Sequence, residues 1–390
     1  MTTTVVEKKD TLELPFSMAE YRTRLKKVQA ELAKRGVDMM MIHTPENSYY
    51  LSGYRTIGYY SSMMLMVPVE GDPVHLTRLI EKSVLQGTSW VPNSETYEDS
   101  ETFLDAAVRV LRARGWDKGR IGIDKTAWYL TLQDYEFMAK NMPAIRWVDC
   151  SLLVDTIRLV KSPAEQQYSR RAAQAACAGM RSALAAYRPG ITEDDLMAAA
   201  YQGLFSKGSE FPALPPLINS GVRHTMAHAM AEGNPIVAGD IANMEIGGSI
   251  KRYHAAVLRM VSAGQPPKLF YDLFDMCKRS LDAALAKMQP GVPAEEVDRA
   301  ARKVITDAGY EHRAKAGYNF GIAYPPDWSE ARCMMLRGGE KRPLLPGMIY
   351  HLLPVVFEYK KYGVGLSETV LITENGHEIL TDIERKWFVK

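Results

Sequence analysis

Residues 219–260 read Asn219-Ser-Gly-Val-Arg-His-Thr-Met-Ala-His-Ala-Met230, then, after a short link, Gly239-Asp-Ile-Ala-Asn-Met-Glu-Ile-Gly-Gly248, and finally Lys251-Arg-Tyr-His-Ala-Ala-Val-Leu-Arg-Met260. Three of the eight histidines fall here: His224, His228 and His254. Glu245 sits inside the apolar run 241–246, bounded by glycines, which reads as a buried strand. A carboxylate in such a run is costly unless it is paired, hydrogen-bonded or protonated. Two imidazoles and a strand-borne carboxylate form an acid/base set, because His titrates near neutral pH and a buried Glu can be tuned toward it. The stretch alone leaves open whether this set works by itself or holds a metal.

Working outward, 390 residues are enough for two domains. A hydrophobic fraction of 46% and a charged fraction of 24% describe an ordinary globular protein. The net charge of +2 gives no reason to expect a nucleic acid or a membrane surface as partner. No apolar run approaches the roughly 18 residues of a membrane span. The amino terminus lacks the apolar core of a signal peptide, so a cytoplasmic protein is expected. Four dispersed cysteines without a CxxC pair read as reduced and buried rather than as a disulfide or zinc framework.

The first ten or so residues read as a frayed tail. Ser17, three residues before Glu20, predicts a helix to about Arg35, closed by Gly36. The run 37–42 is expected to be a buried strand of a mixed sheet, followed by a loop at Pro45-Glu-Asn. Residues 65–69 and 74–77 predict a hairpin, 103–114 a helix and 120–124 another strand. This alternation indicates an α/β domain over residues 12–155, with a second domain over 160–390. The boundary lies before Ser162-Pro-Ala-Glu165, a helix start with Pro at its first position. Tyr187-Arg-Pro-Gly-Ile and Met288-Gln-Pro-Gly-Val each follow an Ala-rich helix and open another, which suggests two halves related by pseudo-two-fold symmetry.

Several segments together resemble the pita-bread family of creatinase, aminopeptidase P, prolidase and methionine aminopeptidase. They are Pro45-Glu-Asn-Ser-Tyr-Tyr-Leu-Ser-Gly-Tyr54, Lys161-Ser-Pro-Ala-Glu165, Ala227-His228, Gly239-Asp240, Pro346-Gly-Met348 and Ser367-Glu-Thr-Val-Leu-Ile-Thr373. The resemblance implies a creatinase-type N-terminal α/β domain, a catalytic pita-bread α+β domain and a homodimer. The family's peptidases hold two metal ions with two Asp, one His and two Glu. Here the matching positions read Glu245, Ala256, Tyr318 and Leu353, and only Glu368 keeps a carboxylate near the last of them, with the register uncertain by one residue. Too little anionic charge remains for a dinuclear site, so no metal and no other cofactor is expected. Glu245-Ile-Gly-Gly, Lys251-Arg-Tyr-His254 and Tyr324-Pro-Pro-Asp-Trp328 are similar to the branch that contains ectoine hydrolase, which with creatinase acts without metal. The segments 352–357 and 363–368 depart from that branch, which leaves the substrate open.

The resemblance implies that His228 transfers protons, and an imidazole can take one from water and return it to a leaving nitrogen. Glu245 and Glu368, if they face one cavity, can hold a planar amidinium or guanidinium by charge-assisted bonds. His254 is either catalytic or an orienting partner of Glu245; His224 reads as structural or as a rim residue. Tyr59, Tyr60, Tyr318 and Trp328 are candidates to wall the substrate site, and Arg332 or Arg337 to bind a substrate carboxylate. The expected activity is metal-independent hydrolysis of a C–N bond in a small cyclic amidine or a guanidino or amide acid. The rivals are a mononuclear metallohydrolase of Xaa-Pro peptidase type and a non-catalytic binding protein.

Overall fold

Ser17 accepts a hydrogen bond from the Glu20 amide at 3.2 Å and starts α1 (Met18–Lys34), whose buried stripe is Tyr21, Leu25, Val28 and Leu32. This computed structural model describes residues 13–390, so the amino-terminal tail expected from the sequence lies outside the described residues. The chain forms two compact units that divide at Arg158 and Leu159.

After α1 the first unit continues through β1 (Met39–Ile42), α2 (Pro45–Ser52), β2 (Met64–Pro68), β3 (Val74–Arg78), α3 (Lys82–Thr88) and β4 (Asn93–Tyr97). It closes with α4 (Phe103–Ala113), β5 (Gly119–Ile123), α5 (Leu132–Asn141), β6 (Ile145–Asp149) and α6 (Leu153–Arg158). The sheet order is β4-β3-β2-β1-β5-β6, with β1 antiparallel to β2 and parallel to β5, a mixed sheet. Strands β2 and β3 form the predicted hairpin. Pro45-Glu-Asn, expected as a loop, instead opens α2: Pro45 supplies the preset φ of a first helical turn and Gly53 ends the helix at φ 80°.

The second unit starts at α7 (Pro163–Ala186). Ser162 and Glu165 form a capping box there, and the other Glu165 oxygen accepts from Tyr253 at 2.7 Å. Then come α8 (Glu193–Ser206), β7 (Leu217–Ser220), β8 (Ile241–Ile250), β9 (Tyr253–Ser262), α9 (Lys268–Leu285) and α10 (Ala294–Asp307). The remainder is β10 (Gly317–Asn319), β11 (Met335–Leu336), β12 (Ile349–Leu352), β13 (Val355–Glu358), β14 (Tyr362–Gly365), β15 (Glu368–Thr373), β16 (Gly376–Ile379) and β17 (Phe388–Val389). One sheet runs β17-β9-β8-β7 and the other β11-β10-β12-β15-β16, with β13 and β14 as a separate hairpin. Both Pro-Gly segments do join a helix pair, α7 to α8 and α9 to α10.

Strand periodicity sorts β8 onto two faces. Met244 and Ile246 enter the core that contains Ala175, Ala176 and Met180 of α7. Asn243 and Glu245 turn the other way. The two glycines that follow serve one face each. A Cβ on Gly248 would strike the Ala172 carbonyl and come within 2.7 Å of the Ala176 amide, and one on Gly247 would lie 2.7 Å from the Trp328 ring. Each glycine therefore admits a close neighbour that no other residue would.

Candidate active site

The second unit holds a cavity of about 510 Å³. Strand β8 contributes Asn243 and Glu245, the loop after β7 contributes Ala227 and His228, and β10 contributes Tyr318. Trp328, Leu353, Val355 and Phe357 supply much of the apolar wall, and the segment before β10 adds Glu311, Arg313 and Lys315.

Glu245 is 6% exposed, its Oε1 has no hydrogen-bond partner, and burial pushes its carboxyl up to about 7. At neutral pH it is therefore divided between acid and carboxylate, the range in which a group can both give and take protons. Behind it lies a polar chain. The Trp328 indole donates to the Tyr318 hydroxyl at 3.1 Å, which lies 3.0 Å from His351 Nδ1. His351 Nε2 is 2.6 Å from Ser367 Oγ, which also accepts from the Leu258 amide at 2.7 Å. His351 Nδ1 is 3.7 Å from Glu245 Oε1. Burial lowers the His351 imidazole to about 3, so it is neutral and carries a single N–H. The tautomer with that proton on Nε2 gives the indole, the phenol and the imidazole N–H an acceptor each: indole to phenol, phenol to Nδ1, and Nε2 to Ser367.

The loop that carries His228 is pinned at both ends by one buried carboxylate. Glu193, the first residue of α8, accepts from the Ser220 amide and hydroxyl at 2.8 and 3.1 Å, from the Glu232 amide at 3.1 Å and from Asn234 Nδ2 at 3.0 Å. His228 itself is exposed and lines the cavity.

The structure thus brings together His228, Glu245, Tyr318 and Trp328. It does not bring Glu368 to them. Glu368 is buried against Arg259 at 2.7 Å and Arg385 at 3.0 Å, with Thr381 donating as well. The reason is strand alternation: Ser367 reaches His351, so its neighbour faces the opposite way. His254 is also withdrawn. It is fully buried, its Nε2 accepts from the Ala213 amide at 3.0 Å, its Nδ1 lies 2.8 Å from the Arg252 carbonyl, and it does not line the cavity. His224 is buried against Phe270. Arg332 is exposed and outside the lining, where Arg313 and Lys315 are the basic groups. Tyr59 and Tyr60 belong to the first unit; Tyr59 packs on Tyr129 and Tyr60 is 77% exposed.

His351 escaped the sequence reading. It sits in an apolar strand, and its only signal is the register that sets it opposite Tyr318. Lys315, between two alanines, carried no signal. As for metal, Leu353 and Ala256 offer no donor atoms and Glu368 is held by two guanidiniums, so the donor set does not fit the family's dinuclear site. Among the described residues no three His, Cys, Asp or Glu side chains gather into a metal-binding group.

Residues 167–374 match the metallopeptidase family M24, and residues 24–160 match the creatinase/prolidase N-terminal domain. The chain is 32% identical to the ectoine hydrolase of Halomonas elongata over 97% of this chain and 99% of that protein. It is 24% identical to a Xaa-Pro dipeptidase of Pyrococcus furiosus, over 94% of this chain and 99% of that one. Among solved structures, the prolidase of Thermococcus sibiricus superposes with a TM-score of 0.86 at 21% identity, covering 96% of this chain and all of the other.

Proposed function

The chain belongs to metallopeptidase family M24 and is a hydrolase of that family, and from that premise we propose that it hydrolyses a C–N bond in a small cyclic amidine, with ectoine ring opening as the leading instance, and does so without a metal ion. One observation carries this reading. Glu245 is a buried carboxylate of the cavity lining whose Oε1 has no hydrogen-bond partner and whose titration point lies near neutrality, and apolar side chains stand where further anionic ligands would be needed.

Glu245 receives the delocalised cation of the substrate. An adjacent positive charge favours the ionised carboxyl, so binding draws Glu245 fully into its carboxylate form and orients the amidinium by charge-assisted hydrogen bonds. The cationic carbon of the substrate supplies its own electrophilicity. His228 takes a proton from water as it attacks and delivers it to the departing nitrogen. Tyr318, fixed by Trp328 and His351, holds the wall beside Glu245 and keeps bulk water from relaxing the pair. The enzyme is proposed to work as a cytoplasmic homodimer, to be checked by light scattering.

The test is incubation of chelator-treated protein with ectoine, hydroxyectoine, creatine and a Xaa-Pro dipeptide, with products read by mass spectrometry and metal content measured in the same samples. The proposal expects ring-opened ectoine from metal-stripped protein, and His228→Ala to lose about 100-fold in rate, the size of one general acid/base contribution. Dipeptide cleavage that needs a stoichiometric metal would assign the chain to the peptidase reading instead.

A further inference from the structure

We infer that Lys315 is the anion-binding residue of the cavity and selects substrates that carry a carboxylate on the side away from the hydrolysed bond. The inference rests on the reading of this cavity as the substrate site, but not on which bond is cleaved.

Lys315 is half-buried in the cavity wall. Among the described residues no hydrogen bond or ion pair reaches its ammonium. Its close partner among the described residues is the face of Tyr318, whose ring centroid lies 4.9 Å from Nζ. Its neighbours in the lining differ. Arg313 is already engaged by Glu311 at 2.9 Å, and that pair is exposed. Asp327 and Arg337 act on Lys315 only through space and in opposite senses, and desolvation outweighs both in lowering its affinity for a proton. A cation that has lost part of its water and has gained no anion is poised to take one from a ligand. Such an anion would restore what burial removed, whereas a neutral group of the same shape would not.

The cavity is then a site with two unlike ends. Glu245 accepts positive charge, Lys315 accepts negative charge, and Tyr318 lines the same wall, its ring face on Lys315 and its hydroxyl within electrostatic reach of Glu245. The apolar wall of Leu353, Val355 and Phe357 suits a compact ligand body between them. The substrate class is a small zwitterion. A cationic amidine without an acid group would lose one anchor, and a simple anion without a cation would lose the other.

The experiment uses the full chain and isothermal titration with benzoate and benzamide, a pair alike in shape that differ in charge. Wild-type protein should bind benzoate at least ten-fold more tightly than benzamide. Lys315→Met should abolish that preference while leaving benzamide unchanged, and Lys315→Arg should keep most of it. Equal binding of the two probes by wild-type protein, failure of benzoate to bind at millimolar concentration, or an unchanged preference in Lys315→Met would each overturn the inference. Because wild-type protein alone can fail the test, it does not depend on the variants folding. A preference that follows Lys315 in a protein that leaves ectoine intact would fail the proposed hydrolysis and retain the anion site.

Discussion

Glu245 concentrates the chemistry in one side chain. Its folded carboxyl titrates near 7 against an ordinary 4.5, and burial is the cause. The native protein therefore holds a proton that the unfolded chain has already released. The associated stability is complete below about pH 4.5 and is lost as pH rises through 7. Glu245→Gln removes this dependence: relative to wild type, the variant should gain stability between pH 5 and 8, by on the order of 3 kcal/mol at most. Urea unfolding at the two pH values measures it. For a cationic substrate, the same titration should make kcat/KM rise with pH through about 7 in wild type. In Glu245→Gln the rate should be at least about 100-fold lower, because the carboxylate that holds the cation is gone. A variant that kept both its pH-rate profile and its rate would remove Glu245 from the chemistry.

At the scale of elements, β8 is clamped between α7 and Trp328, and its two glycines respond to different neighbours. Gly248→Ala meets helix backbone, which cannot swing aside, so it should destabilise by about 1–3 kcal/mol or more in thermal or urea melts. Gly247→Ala meets the Trp328 ring. That ring can tilt, at the cost of its hydrogen bond to Tyr318, so the substitution should reduce activity more than stability and alter the indole fluorescence. If both variants lost stability equally and activity in proportion, the two faces of β8 would not be functionally distinct. The loop that carries His228 depends likewise on an element rather than on itself. The start of α8 donates Glu193 as its anchor, and this carboxylate has four hydrogen bonds to satisfy it.

Across the whole molecule, histidines are the acid-sensitive groups. In the first unit burial lowers His43 to about 4 and His75 to about 3. In the second it lowers His351 to about 3, His312 to about 4, His254 well below its ordinary value, and His224 in the same direction. A depressed folded value means that the unfolded chain takes up protons first. The stability is present above about 6.5 and is lost as pH falls through the folded values. Each such histidine costs about 1.4 kcal/mol per pH unit over that window. In the second unit His351, His312 and His254 together outweigh the single opposing carboxyl of Glu245. Both units should therefore lose stability with acid between about pH 6 and 4. Circular dichroism in the near ultraviolet with hydrogen exchange resolved by unit measures this, and a stability unchanged over that range in either unit would contradict it.

The starts of α1 and α7, the hairpin, the two-part organisation and the buried strand with its central glutamate were legible in the sequence, whereas the start of α2 at Pro45 was not. Each rests on local chemistry: a capping hydroxyl three residues from a carboxylate, an apolar run of fixed length, a glycine at a bend. Family motifs added the loop histidine and the loss of anionic positions at Ala256 and Leu353. Tertiary structure decided the partnerships. Whether Glu368 or Ser367 turned toward His351 depended on a register of one residue, and only the pairing of β15 with β12 set it. His254 reads in sequence as another imagined catalyst, yet the chain folds both its ring nitrogens onto backbone groups. His351 and Lys315 lie far along the chain from Glu245 and become its neighbours in one cavity wall or just behind it only when two sheets meet. Sequence determines what each segment can form by itself, whereas desolvation and pairing, which give Glu245 and Lys315 their character, exist only after distant segments have packed.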